Sequence, residues 1–476
     1  MSVMTTMTTR GPAGPHTSAT PTGWMPLAIL MTGSFVFVLD FFIVNVALPS
    51  IQHGLHAGSA TIEWVVAGYG LTTAATLITG GRLGDRYGRR RVYASGLALF
   101  VATSAACALA TNGATLVIAR LAQGVAAGVM APNILAIVGV VYTGARRVRA
   151  ISVYGMVMGL AATSGQLIGG ILVRADIAGL GWRAIFWINV PVGLAALAVM
   201  RRVPESRDAR ARRLDGPGIL LVTAGLTAVI LPLLDGRQQG WPAWSLVCLA
   251  VAPLLLVGFA AYQRALVRAG RTPLVNPVEL AGRGPATGLL TQLVFWCQQA
   301  ASYLFLALYL QYGRGQSALE SGFTFTALAA GYLATSSFAP PLTVRYGRRV
   351  ILGGALIAAL GDLALAGAVH GGPSGSTALL LPGLVLIGAG QGLCITPLTS
   401  IVLGYATPPT AGTISGMLST MQQVGNAIGV AVIGVVFFSA VGHGYGPAFE
   451  RSLFVMAALL IVVAALTRLM PRSSRS

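Results

Sequence analysis

The sequence predicts an all-α polytopic membrane protein, built as two duplicated six-helix halves joined by two further helices. Three observations predict it. Of 476 residues, 55% are hydrophobic and only 9% charged, with a mean hydropathy of +0.77, whereas a soluble domain carries about 25% charged residues. Fourteen stretches approach the roughly 20 apolar residues that a helix needs to cross a hydrocarbon core of about 30 Å. The pentapeptide RYGRR stands at Arg86–Arg90 and again at Arg345–Arg349, at matching places in the two halves.

Residues 1–24 are polar, rich in Thr and Pro, and lack an apolar run. They read as a disordered cytoplasmic tail and not as a signal peptide. Span 1 (25–48) contains Asp40, span 2 (61–80) opens near Glu63, span 3 covers 92–111, and span 4 (115–142) contains Arg120. Spans 5 (150–173) and 6 (184–200) complete an N-terminal bundle over 25–202. Spans 7 (216–234) and 8 (243–263), interrupted by Pro232, Pro242 and Pro253, form a linker over 203–284. Spans 9 to 14 (286–311, 321–343, 350–369, 377–403, 413–440 and 449–467) form a C-terminal bundle over 285–470, and 471–476 is a second cytoplasmic tail.

Arginine sets the orientation. With the N-terminus inside, 25 arginines fall in cytoplasmic loops and tails, five outside (Arg174, Arg183, Arg237, Arg314, Arg451), and Arg120 alone within a span. Translocation disfavours positive charge in short loops, so both termini are expected in the cytoplasm of a bacterial inner membrane. The net charge of +19 is then a topology signal, and no nucleic-acid partner is implied. There is no lysine, which excludes a P-loop ATPase and a Schiff-base enzyme. Heavy use of Ala, Gly and Arg suggests a GC-rich, actinobacterial genome. Cys107, Cys248, Cys297 and Cys394 lie in apolar runs and read as core packing. His53 and His56 have no third ligand in sight, so no metal is expected.

The repeat extends beyond RYGRR. SGQLIGG at 164–170 echoes VGNAIGV at 424–430, and Gln123–Gly124 echoes Gln391–Gly392. Spans 1–6 are thus duplicated as spans 9–14. Parallel repeats of this kind belong to secondary transporters with a site near the membrane midplane between the halves. In RYGRR itself, Gly88 and Gly347 permit a turn, and the arginines hold that turn in the cytoplasm.

The first copy sits in Gly81-x-Leu83-Gly84-Asp85-Arg86-Tyr87-Gly88-Arg89-Arg90. This string resembles the signature loop of the major facilitator superfamily. LDFFIVNVALPSI (39–51), EWVVAGYGL (63–71), IARLAQGVAAG (118–128), GWRAIFWINVPVG (181–193) and LDGPG (214–218) resemble, in order, motifs of its fourteen-span drug:proton antiporter family. The resemblance covers about 25 to 470. It implies the major facilitator fold, two six-helix bundles related by a pseudo-two-fold, and export of hydrophobic or amphipathic drugs or natural-product antibiotics by alternating access. It implies no cofactor, with the proton gradient as energy source, and a monomer in the lipid bilayer. One departure stands out. The family's fifth-helix antiporter motif usually contains Gly-Pro, while this chain has Gly165-Gln166 followed by Gly169-Gly170. Gln166 keeps a backbone N–H that proline lacks, so a smaller kink is expected there.

Asp40 is the sharpest candidate, because an acid within a span is costly and points to function. Burial favours its neutral form and a neighbouring arginine its ionised form. Asp40 with Arg120 is therefore either a proton-coupling pair lining the central cavity or a static ion pair. Asp85, Arg86 and Arg89 are read, by resemblance, as a latch on the start of span 13. Spans 5 and 13 carry small-xxx-small glycine spacings, including Gly165/Gly169 and Gly425/Gly429, and are expected to face each other across the halves. On span 9, Gln292, Phe295, Gln299 and Tyr303 share a helical face beside Trp296. With Gln391, Gln422 and Asn426 from the same half and Gln123 and Gln166 from the other, they are candidates for substrate contact or for interhelical hydrogen bonds. Asp362 and Glu63 are left as secondary acids. Uptake or lipid export on the same fold is the competing reading. A membrane enzyme would need paired acids, a His cluster or a Ser/His arrangement within the spans, and none is visible.

Overall fold

The computed structural model describes residues 23–207, 215–236, 239–271, 273–274, 277, 282–370, 376–405 and 411–471, and no strand occurs among them. Most of both expected tails lies outside the described residues. The helices are α1 (Met25–Leu55), α2 (Ser59–Tyr87), α3 (Arg89–Ala108), α4 (Gly113–Val141), α5 (Gly144–Ala175), α6 (Gly181–Ala198) and α7 (Gly216–Leu231). They continue as α8 (Ala243–Arg268), α9 (Arg283–Leu308), α10 (Ala318–Ser336), α11 (Arg349–His370), α12 (Leu381–Gly404), α13 (Ala411–Ala440) and α14 (Tyr445–Leu469). Each expected span coincides with one of these helices. Ten are by themselves long and apolar enough to cross a bilayer, and the bent α5 makes eleven. The 16-residue α7 runs into a π-helical turn at Pro232–Gly236. Threonines and glycines dilute the hydropathy of α2 and α10, because these residues turn toward neighbouring helices.

The duplication is visible in the packing. In each half the second helix lies on the fourth and the first on the fifth. Thr72 of α2 donates to the Leu121 carbonyl at 2.8 Å, and Thr335 of α10 donates to the Ala389 carbonyl at 2.8 Å. The two RYGRR turns place Gly88 at φ 107° and Gly347 at φ 57°, where a side chain would be strained.

The glycine pairs act within each half. Gly165 and Gly169 lie on the Leu39–Ile43 stretch of α1, and Gly425 and Gly429 lie on the Leu293–Cys297 stretch of α9. The expectation that α5 and α13 face each other is corrected. Their glycines bind them to the first helix of their own half, and across the halves α5 packs on α10 and α13 on α2.

Helix α5 is bent near Gly165-Gln166 although no proline stands there. The helix bends by 40° between Gly144–Ala162 and Ser164–Ala175. Ser164 donates its hydroxyl to the Leu160 carbonyl at 2.6 Å, and such back-bonding bends helices without proline.

Helices α7 and α8 pack on each other, and α7 lies along α2 and α13. Val222 and Leu226 cluster with Ala74 and Val424, and Ile230 with Leu71, Ala427 and Ala431. The linker helices therefore cover the α2–α13 seam.

Candidate functional site

A buried charge centre occupies the core of the N-terminal bundle. Asp40 Oδ2 accepts a hydrogen bond from Arg120 Nη1 at 2.5 Å. Asp40 Oδ1 accepts from Gln123 Nε2 at 3.0 Å and from Asn189 Nδ2 at 2.7 Å. All four side chains are 0% exposed. Arg120 also donates from Nε to the Val65 carbonyl at 2.9 Å and lies over the Tyr69 ring at 4.2 Å. Ser104 on α3 accepts from Gln123 at 2.7 Å. One carboxylate thus meets one guanidinium, and amides and a ring fill out the shell. Removal of a charge from water costs several kcal/mol per ion unless such partners are in place.

The pairing of Asp40 with Arg120 is present, but Asp40 does not line a central cavity. It points into its own bundle, where α4 and α6 supply donors and Ser104 of α3 accepts from Gln123 and Asn189, while the next residue, Phe41, faces the seam between the halves. Asn189, Ser104 and Tyr69 were missed by the sequence reading. Asn189 had a signal, an amide within the apolar stretch FWINVPVG. Among the described residues the second half has no such centre. Gln391 corresponds to Gln123, which puts Gly388 in the place of Arg120. Gly425 touches Leu293 as Gly165 touches Leu39, which puts Val294 in the place of Asp40.

A second feature is a hollow at the end of the molecule opposite the arginine-rich loops. It has a volume of about 220 Å³ and lies between α1 and α2 on one side and α9, α13 and α14 on the other, with Leu233 beyond the end of α7 as a further wall. Its lining is apolar and aromatic (Leu48, Phe305, Phe438, Tyr445), with Gln52 at the rim accepting from the Tyr312 hydroxyl at 2.9 Å. A narrow crevice of only about 10 Å³ shares Val66, Ala67 and Val430 with it and continues to Phe41, Gly70 and Asn426. Toward the arginine-rich end the halves are in contact. The Tyr332 hydroxyl on α10 donates to the Gly155 carbonyl on α5 at 2.9 Å, and its ring sits against Gly159.

Of the residues expected to touch substrate, Asn426 lines this space. Gln123 belongs to the charge centre. Gln292, Phe295, Trp296, Gln299, Tyr303 and Gln391 are buried in the C-terminal bundle. Gln391 Oε1 accepts from Gln299 at 3.3 Å and from the Tyr303 hydroxyl at 3.2 Å, so that group joins α9 to α12. Gln166 donates to the Phe42 carbonyl at 3.1 Å, and Gly170 faces Ala318 and Leu319 of α10. Gln422 is half-buried on α13. Asp362 is buried in α11 with neither oxygen hydrogen-bonded among the described residues. The Glu63 side chain lies outside the described residues.

In the signature loop, Asp85 pairs with Arg89 at 2.8 Å, and Arg86 lies over the Tyr87 ring at 5.1 Å. Gly81 and Gly84 face Pro132 and Asn133 of α4. Glu205 closes the turn, accepting from the Arg90 amide at 3.0 Å. The side chains at 411–413, where the latch on α13 was expected, lie outside the described residues.

The sequence model of the Major Facilitator Superfamily matches residues 30–429 and 286–476. The chain is 35% identical over 442 residues to the "Probable actinorhodin transporter" of Streptomyces coelicolor, covering 91% of this chain and 76% of that one. It is 34% identical over 484 residues to the cephamycin export protein CmcT of Amycolatopsis lactamdurans, covering 97% and 95%. It is 34% identical over 438 residues to the puromycin resistance protein pur8 of Streptomyces alboniger, covering 90% and 85%. Among solved structures it resembles a peptide transporter POT in complex with sulfate (TM-score 0.66, 18% identity, covering 95% and 98%). It also resembles the xylose transporter XylE from E. coli (TM-score 0.64, 14% identity, covering 94% and 99%). At these identities the two structures share the fold with this chain, and nothing finer.

Proposed function

The chain belongs to the major facilitator superfamily, and on that premise we propose that it exports a hydrophobic or amphipathic drug or natural-product antibiotic in exchange for protons. It is a multi-pass membrane transporter and not an enzyme. Relatives named for cephamycin export, puromycin resistance and actinorhodin transport support the substrate class. The apolar, aromatic hollow suits such a molecule, since binding sites for organic ligands are largely apolar with a few polar groups.

The observation that carries proton coupling is the Asp40–Arg120 pair, 2.5 Å apart and fully buried. A proton arriving on Asp40 Oδ2 replaces the Arg120 contact and leaves the guanidinium without its counter-charge. That is a two-state element. Asp40 lies on α1, and the same helix supplies Leu48 and Gln52 to the hollow. Repacking of α1 after protonation therefore reaches the substrate space. The cycle closes when substrate leaves outward, Asp40 takes a proton, and the Tyr332 contact opens on the inner side. The arginine count supports cytoplasmic termini, and in this reading the chain works as a monomer and the gradient replaces any cofactor.

The test uses everted vesicles containing the full chain. Addition of ethidium or puromycin to a vesicle with a proton gradient should release protons and accumulate drug. Drug movement with no proton movement would overturn the coupling, and movement only in the opposite direction would overturn export.

A further inference from the structure

The linker helices offer an inference that rests on the export reading and deepens it. Leu233, just past the end of α7, lines the outer hollow together with residues of both bundles. It stands in the π-helical turn Pro232–Gly236. Asp235 in that turn accepts a hydrogen bond from Trp64 Nε1 of α2 at 3.3 Å and from Gln239 Nε2 at 2.5 Å. Lower down, Thr223 of α7 donates to the Ala75 carbonyl of α2 at 3.1 Å. Near the arginine-rich end, Arg82 of α2 donates to the Pro273 carbonyl at 2.6 Å and to that of Leu274 at 3.1 Å, in the segment after α8. The α7–α8 hairpin is therefore hydrogen-bonded to α2 at three heights.

Its contacts with α13 are of another kind. Val222 and Leu226 meet Val424 there, and Ile230 meets Ala427 and Ala431. Apolar contact is non-directional, so it tolerates sliding, whereas hydrogen bonds weaken steeply when their geometry is lost. When the halves move, the hairpin should travel with α2 and slide over α13.

We propose that Leu233 is a specificity-determining wall residue of the substrate space, carried by a linker that moves as part of the N-terminal bundle, with Asp235 as its positioning residue. A larger side chain at Leu233 narrows the space from the membrane side, and a smaller one widens it. The ligand class affected is the bulky polycyclic molecule, which needs the full width between α2 and α13.

The test compares export of ethidium and of the bulkier doxorubicin by the full chain in everted vesicles. Leu233→Trp should raise KM for doxorubicin about ten-fold more than for ethidium, the scale of a pocket misfit, and Leu233→Ala should shift the ratio the other way. Leu220→Trp, on the 69% exposed face of the same helix, should leave the ratio unchanged. Asp235→Ala should blur the discrimination, and Asp235→Asn, which keeps an acceptor for Trp64, should restore it. An equal KM ratio in all variants overturns the proposal. A second readout is independent of transport. A charged, impermeant maleimide added outside should label Leu233→Cys above the background of the unchanged chain and should not label Leu220→Cys. If the unchanged chain moves neither probe, the export reading fails and labelling alone decides the wall. Absence of labelling at Leu233→Cys overturns it.

Discussion

Replacing Asp40 with asparagine removes one charge from a fully buried pair and separates two roles that the pair could have. The carboxylate accepts three hydrogen bonds, at 2.5, 3.0 and 2.7 Å. Asparagine keeps one acceptor oxygen of similar shape but leaves Arg120 charged, facing only the Val65 carbonyl, the Gln123 oxygen and the Tyr69 ring. Breaking one side of a buried ion pair costs about 3–5 kcal/mol, out of a total stability that is typically roughly 5–15 kcal/mol. Asp40→Asn should therefore lower the thermal midpoint of the detergent-purified protein clearly and abolish drug-induced proton release in vesicles. The double variant Asp40→Asn with Arg120→Gln removes both charges and should regain most of the lost stability. It should not regain proton coupling, because no carboxylate remains at the centre. Thermal unfolding is followed by tryptophan fluorescence, and coupling by a pH-sensitive dye inside everted vesicles. A double variant that is both stable and fully proton-coupled would refute the reasoning. The pair would then be a scaffold, and the buried Asp362 would become the next acid to test.

Three further outcomes are expected. Asp85→Asn removes the 2.8 Å pair with Arg89, which is part-exposed and worth about 0–1 kcal/mol. Turnover should therefore slow while substrate affinity stays, and loss of affinity with normal turnover would contradict a gating role. Gly159→Leu should displace the Tyr332 ring and weaken the inner closure, so the Gly155–Tyr332 region should become more reactive to a thiol probe placed at Thr396→Cys. Gly429→Ala puts a methyl group onto the Cys297 carbonyl of α9, a backbone overlap that should cost about 1–3 kcal/mol, read as a lower thermal midpoint. A Gly416→Ala control, where a methyl group meets nothing, should leave that midpoint unchanged.

Much of the architecture was legible because a bilayer reads one-dimensional features. Span length, loop arginines and the repeated RYGRR turns act locally, so α1–α14 stand where apolar stretches were counted. The two partners of the charge centre were legible too, since Asp40 and Arg120 are expensive wherever they sit in a span. Glycine spacing was legible as close packing, but not as packing on a particular neighbour. The same Gly-x-x-x-Gly serves any helix that comes near, and the choice of α1 over α13 for Gly165 and Gly169 is made by the crossing of helices 120 residues and more apart in the chain.

Direction was the part the sequence could not carry. A side chain's place on a helix face follows from its number, but what lies beyond that face is decided by the bundle. Asp40 turned inward to Arg120, Gln123 and Asn189 because two other helices, α4 and α6, supplied the donors that an ionised carboxylate requires. Gln299 of α9, chosen as a substrate contact, bonded to Gln391 instead, because buried amides near one another satisfy each other first. Leu233, an ordinary leucine in a linker, became part of the wall of the outer hollow only because α7 lies along α2. The sequence alone determined that this chain spans a membrane, in two copies of one plan, with an acid and an arginine within its first half. The tertiary structure alone decided what those groups face, since hydrogen bonds and cavities are made between helices and no single helix contains them.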